Sequence, residues 1–263
     1  MPDLLLPGPL SSGAPSPGIL AAVALIVALC AVFRGFTGFG FAIIAVPLMS
    51  LALPPILAVA VAAGLQLLGG LMDFRGAARE CHWPSVRWLA AGSVVASPLG
   101  TVLLAWLPAD AARLVLAGAC GIAVLALGIG HGFRSMPGRN TTVAAGALSG
   151  LFNGLAAMPG PPAVAYYLAL PMAPVQVRAS LLVFFLFSAL LSSASLLAIG
   201  AFGRVETLLV LAGTPLMLAG SYLGARLFRR LGGAHRRVSL LTLALVALLT
   251  AARGLAGLLA GAG

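Results

Sequence analysis

The stretch FRGFTGFGFAIIAVPLM (33–49) lies inside an apolar run yet holds an arginine, a threonine, three glycines and a proline. Arg34 is a fixed cation and a bidentate donor. Thr37 adds a hydroxyl, and Gly35, Gly38 and Gly40 let backbone N–H groups approach a ligand. A second break, NGLAAMPGPP (153–162), contributes the amide of Asn153 beside Gly154 and Gly160. Two further polar groups stand in or at apolar runs: Gln66, and Arg178 in PVQVRAS. Neither break contains a carboxylate. This set of donors and positive charge is suited to holding a small anion such as a sulfonate, sulfite or a carboxylate. The candidate substrate-binding residues are therefore Arg34, Gly35, Thr37, Gly38, Gly40, Gln66, Asn153, Gly154, Gly160 and Arg178.

Each has a structural reading beside the functional one. Arg34 equally serves as a topology signal at the cytoplasmic interface, and the glycines as close-packing points between helices. Arg178 also reads as a solvated arginine at a helix end, and Gln66 as a hydrogen-bonding link to a neighbouring helix. The GxxxG of Gly220 and Gly224 is assigned wholly to packing.

Other chemistries lack their residues. Intramembrane proteolysis needs a Ser–His pair or paired aspartates within the apolar runs, and none is present, so no catalytic residue is expected. Cys30, Cys81 and Cys120 are widely spaced, as are His82, His131 and His235, without the spacing of metal ligands or a disulfide framework. No pattern calls for a cofactor. The five acidic residues, Asp3, Asp73, Glu80, Asp110 and Glu206, fall in the leader, in expected loops or at run ends. None is placed as a proton relay or sodium ligand.

The elements that must position these groups follow from composition. Apolar residues make up 61% of the 263, charged residues 8%, and mean hydropathy is +1.13. A soluble domain needs roughly a quarter of its residues charged, so this chain is solvated by lipid. The net charge of +10 comes from 15 basic residues, all arginine, strung through the gaps between apolar runs. A nucleic-acid face would gather them on one soluble surface, so that partner is excluded. Trp83, Trp88 and Trp106 flank runs as interfacial anchors.

Apolar runs cover 18–53, 56–72, 88–107, 112–131, 142–171, 179–202, 207–225 and 238–260, with DFRGAARECHWPSVR (73–87) as a polar loop. The first holds 36 residues, about 54 Å as one helix, against a hydrocarbon core of about 30 Å. Both it and 142–171 contain a Gly/Pro cluster near the middle, which ends a helix. Each long run is thus two shorter helices forming a hairpin.

Arginine placement agrees. With the N-terminus outside and both long runs folded back, the inside holds Arg75, Arg79, Arg87, Arg134, Arg139, Arg178, Arg226, Arg229, Arg230, Arg236 and Arg237. Outside are Arg113, Arg204 and Arg253, with Arg34 at the first hairpin's turn. Counting the long runs as single crossings removes this bias, which the positive-inside rule requires. The expected fold is an all-α polytopic membrane protein of two inverted repeats. Each repeat is a glycine-broken hairpin plus three transmembrane helices: a leader at 1–17, repeats at 18–131 and 142–263, and a cytoplasmic linker at 132–141. SPLGTVLLAWL (97–107) and SYLGARLFRRL (221–231) align at an offset of 124, and Gly35 aligns with Gly150 in SGLFNG.

The motifs GFTGFGFAIIAVPLM, SPLGTVLLAWLP, VRAS and GSYLGARLFRRL resemble the TauE/SafE sulfite-exporter family, over about 20–258. Two departures are NGLAAMPGPPAVAYYL in place of the family's glycine run, and Gln66 where small hydroxyl residues are common. The resemblance implies a multi-pass permease of the bacterial inner membrane that moves sulfite or organosulfonates. Its partners would be a small anion and the lipid bilayer, with a homo-oligomer left open. An inside-negative potential of 100 mV favours anion efflux by about 2.3 kcal/mol per charge, so the expected direction is export without a coupling ion. A structural or assembly factor without transport is the alternative. Thiol reagents should label cysteines in 73–87 from the cytoplasmic face alone, and labelling from the periplasm would overturn the hairpin topology.

Overall fold

Ser16 starts the first helix, its side chain accepting from the Ile19 amide at 3.4 Å, and Pro17 fills a first-turn position where its missing N–H costs nothing. The computed structural model describes residues 16–49, 53, 55–106, 132–156, 159–198, 202–231 and scattered positions between 234 and 252. The leader to residue 15, the run 112–131 with Arg113 and Cys120, and most of the run 238–260 lie outside these.

Eight long or short helices, and no strand among the described residues, make up the fold. They are α1 (Pro17–Thr37), α2 (Phe41–Met49), α3 (Pro55–Glu80), α4 (Trp83–Trp106), α5 (Arg139–Ala156), α6 (Gly160–Ala169), α7 (Pro174–Ala198) and α8 (Arg204–Leu231). Four segments, Pro17–Thr37, Leu57–Glu80, Pro174–Ala198 and Arg204–Leu231, are long and apolar enough to cross a membrane. The order long, short, long, long occurs twice.

Both expected breaks are present, made by different chemistry. After α1, Gly38 and Gly40 adopt φ of 85° and 92°, a region that side chains disfavour. The Gly38 amide closes the helix on the Arg34 carbonyl at 2.7 Å. Ahead of α6, Pro161 and Pro162 preset the first turn. The breaks are narrower than the sequence implies. Arg34, Gly35 and Thr37 belong to the last turn of α1, and Asn153 and Gly154 to that of α5. Glycine costs a helix only about 1 kcal/mol, which packing recovers here.

The expected polar loop 73–87 is not a loop. α3 continues to Glu80, α4 begins at Trp83, and only Cys81 and His82 lie between. At 26 residues α3 is about 39 Å long, so its charged end extends past a hydrocarbon core of about 30 Å. The Ser85 amide donates to His82 Nδ1 at 3.3 Å, and Trp83 Nε1 to the Ala78 carbonyl at 3.0 Å. These bonds hold the turn. α5 begins at Arg139, within the stretch 132–141 expected as a linker.

Helix pairing is reciprocal. α1 packs on α8 and α5 on α4, α3 and α7 pack on each other, and α3 on α8 matches α7 on α4. Small residues carry the two closest crossings. A Cβ on Gly220 or Gly224 would overlap the backbone of α1, and one on Gly92 or Gly146 would overlap the facing backbone of α5 or α4. Two buried apolar clusters flank the centre. One holds Phe41, Met49, Leu65 and Met217, the other Leu89, Tyr167, Leu181 and Phe184.

Two outcomes follow from this packing. Gly224→Val should lower the melting temperature in detergent by about 4 °C or more, because the atoms it meets are backbone and cannot move aside. Gly76→Ala, with nothing near its Cβ position, should leave it unchanged. Burial pushes the Cys81 thiol up, so less of it is thiolate at neutral pH. Its maleimide labelling should therefore be slower than that of an exposed cysteine at pH 7 and accelerate as pH rises.

Candidate functional site

The end of α1 is where three other helices meet. Arg34 is 3% exposed, and its Nη1 donates to Asp73 Oδ2 on α3 at 2.6 Å and to Ser221 Oγ on α8 at 3.2 Å. Gly69, one turn before Asp73, packs on Met217 of α8: a Cβ there would meet Met217 Cε at 2.9 Å and stand at ordinary contact distance, 3.6 Å, from Arg34 Nη1. Gln66, Gly69, Gly70 and Asp73 repeat at i, i+3, i+4 and i+7, so all four share one face of α3.

Arg178, in the second turn of α7, serves the same helix end from the other half. Its Nε and Nη2 donate to the Gly35 carbonyl at 2.8 and 2.5 Å. In an unbroken helix that carbonyl would accept from the residue 39 amide; here Phe39 N–H donates to Thr37 Oγ1 at 3.3 Å instead. A guanidinium at a helix C-terminus also faces the negative end of the dipole. Arg178 lies over the Phe228 ring at 5.1 Å, and Phe228 meets Phe36 edge-on at 5.9 Å. Thr37 is fully buried and its hydroxyl bonds the backbone of the break, with Phe33 O at 2.9 Å and Phe39 O at 2.8 Å. Gly38 abuts the backbone and side chain of Arg178. Arg34, Gly35, Thr37, Gly38, Gly40 and Arg178 are thus gathered around the first break. Arg34 and Arg178 against Asp73 leave it one net positive charge, with Arg229 of α8 in electrostatic reach.

The second group surrounds Asn153. Its Nδ2 donates to Ser97 Oγ on α4 at 3.4 Å, and its Oδ1 accepts from Ser192 on α7 at 3.2 Å. Asn153, Gln66, Pro159, Ser188 and Ser192 line a cavity of about 20 Å³, room for roughly one water. A Cβ on Gly160 would overlap Ile43 of α2, so the second break touches the first short helix. Gln66 and Asp73 are seven residues apart on α3, which separates the two groups by about 10 Å along that helix. The ten candidates therefore form two adjoining layers.

A correspondence links the layers. Arg34 stands three residues before the end of α1, and Asn153 three before the end of α5. Arg34 bonds Ser221, Asn153 bonds Ser97, and those serines are 124 apart, the offset of the aligned SYLG and SPLG motifs. The geometry matches Phe33-Arg34-Gly35 to Phe152-Asn153-Gly154, so Gly35 corresponds to Gly154 and not to Gly150. Gly150 instead packs on the Ser93 backbone.

Asp73, Ser221, Ser97, Ser188 and Ser192 were missed from sequence. The signal for Asp73 was its place on the face of α3 that carries Gln66, and for Ser97 and Ser221 the 124-residue offset; no such pattern marks Ser188 or Ser192.

The chain is 28% identical over 160 residues to the probable sulfite/organosulfonate exporter TauE of Cupriavidus necator, covering 58% of this chain and 62% of that protein. This chain thus spans less than two thirds of that relative's length. No solved structure matches significantly. Residues 23–250 match the family model described as sulfite exporter TauE/SafE. This helical chain, with two broken helices and a buried arginine at the end of the first, thus belongs to the TauE/SafE family of membrane transporters.

Proposed function

We propose that the protein is a secondary transporter that exports a small sulfur-containing or organic anion, sulfite or a sulfonate, across the bacterial inner membrane. One observation carries the reading: a guanidinium that is 3% exposed, at the end of a broken helix, paired with a single carboxylate that is 32% exposed. An arginine within a membrane segment is costly and is therefore usually functional. Its planar fork matches the oxygens of a sulfonate or sulfite.

In this reading the two halves, 18–131 and 142–263, are inverted repeats joined by a cytoplasmic linker. The doubled helix order, the reciprocal pairing and the matched Arg34–Ser221 and Asn153–Ser97 bonds support it. Inversion places Arg34, Arg178 and the glycines 35, 38 and 40 on the cytoplasmic side of the midplane, with Thr37 securing the break. Asn153, Gly154 and Gly160 lie on the far side, and Gln66 between. A substrate enters at the positive layer and leaves through the neutral one. The water-sized cavity is too small for such an anion, so passage needs the breaks to move against each other, as in alternating access. The membrane potential drives the anion outward.

Proteoliposomes loaded with sulfite, sulfoacetate or acetate test this. The expected result is sulfite or sulfoacetate efflux that rises with an inside-negative potential. Arg34→Ala removes charge-assisted hydrogen bonds worth about 1.5–3 kcal/mol, so apparent affinity should fall about tenfold or more. Unchanged flux and affinity in that variant would refute the anion site.

A further inference from the structure

The Arg34–Asp73 pair is lopsided. Arg34 is buried, while a third of the Asp73 side chain is open to solvent. Arginine does not lose its proton in proteins, so Arg34 carries its charge through every state of the protein. A buried charge without a partner is strongly destabilising. Arg34 must therefore always have an anion beside it. Asp73 can part from Arg34 at lower cost, since water already reaches its carboxylate.

Resting on the transport reading above, we propose that Asp73 is a tethered counter-anion that takes the substrate's place on Arg34 whenever the site is empty. It lets the unloaded protein reorient and so makes the protein a uniporter. Two anions compete for one guanidinium. When a sulfonate arrives, Asp73 turns to water; when the sulfonate leaves, Asp73 returns. The neighbouring charges favour such an exchange, because Arg178 and Arg229 keep the locality positive with either anion bound. The exchange breaks no covalent bond and moves no proton.

Without the tethered carboxylate, the empty protein would have to reorient with Arg34 unpaired. Only the substrate-loaded form would then cross over readily. Asp73→Asn should thus convert the uniporter toward an exchanger.

The test measures two fluxes in the same proteoliposomes: net sulfite efflux into sulfite-free buffer, and labelled sulfite exchange with sulfite on both sides. For Asp73→Asn, net efflux should fall at least tenfold more than exchange does. Asp73→Glu, which restores the charge, should return the ratio to within about threefold of wild type. Arg34→Ala should depress both fluxes together. Equal loss of both fluxes in Asp73→Asn, or net efflux retained in proportion, would overturn the proposal.

If wild type moves sulfite and sulfoacetate in neither mode, the transport reading itself fails, which is a different result. Should Asp73→Asn be unstable in detergent, purification with and without sulfite decides. Recovery of monodisperse protein by sulfite supports a site left wanting an anion, and no recovery overturns it.

Discussion

A guanidinium taken out of water needs a counter-charge, and that requirement organises the centre of this protein. Arg34 draws Asp73 on α3 and Ser221 on α8 to the end of α1. Removing one partner of a buried pair costs about 3–5 kcal/mol, and somewhat less here because Asp73 is partly solvated. The glycines then follow as consequences. Gly35 and Gly224 bring α1 and α8 into backbone contact, which sets Ser221 within reach. Replacing any of them moves a helix whose position the ion pair depends on.

The two breaks reach one architecture by opposite means. Gly38 and Gly40 supply backbone angles that other residues resist, whereas Pro161 and Pro162 supply a preset start for the next helix. The difference matters at the ends of the long arms. The glycine break leaves the Gly35 carbonyl without its usual amide, and Arg178 fills that role from α7. A capping guanidinium placed beside Arg34 makes the first layer positive. The second layer, built on Asn153 and serines, remains neutral. Two broken helices thus carry two chemically distinct polar layers.

Much of this was legible in the sequence. Apolar runs too long for one crossing, each with a Gly/Pro cluster, located both breaks, and SPLG and SYLG aligned the two stretches whose serines receive Arg34 and Asn153 without marking those serines. Composition alone excluded a soluble fold. Two things stayed hidden for physical reasons. DFRGAARE reads as a loop because charge density is taken as an exit from lipid, yet a helix continues past the hydrocarbon boundary once its own bonds are satisfied. The partner of Arg34 lies 39 residues away, which no local pattern reveals. The chain has only five acidic residues, so asking which one neutralises an arginine in an apolar run would have narrowed the choice. The role of Arg178 was also hidden, since a cap from another helix needs three-dimensional information.

The tip of α1 is tied to α3 in its own half and to α7 and α8 in the other. In the proposed transport cycle a movement of one repeat against the other cannot keep all three ties, because the Asp73 bond would travel with one repeat and the Ser221 and Arg178 bonds with the other. Packed interfaces of this kind exchange between discrete arrangements and do not deform smoothly. Arg34 sits where those arrangements would differ most, so whichever anion it holds biases the choice between them. A substrate anion and the Asp73 carboxylate are both negative but differ in attachment, since only the carboxylate is bound to α3. That difference in attachment is a differential interaction with the two arrangements, which is what any ligand-driven change of conformation requires.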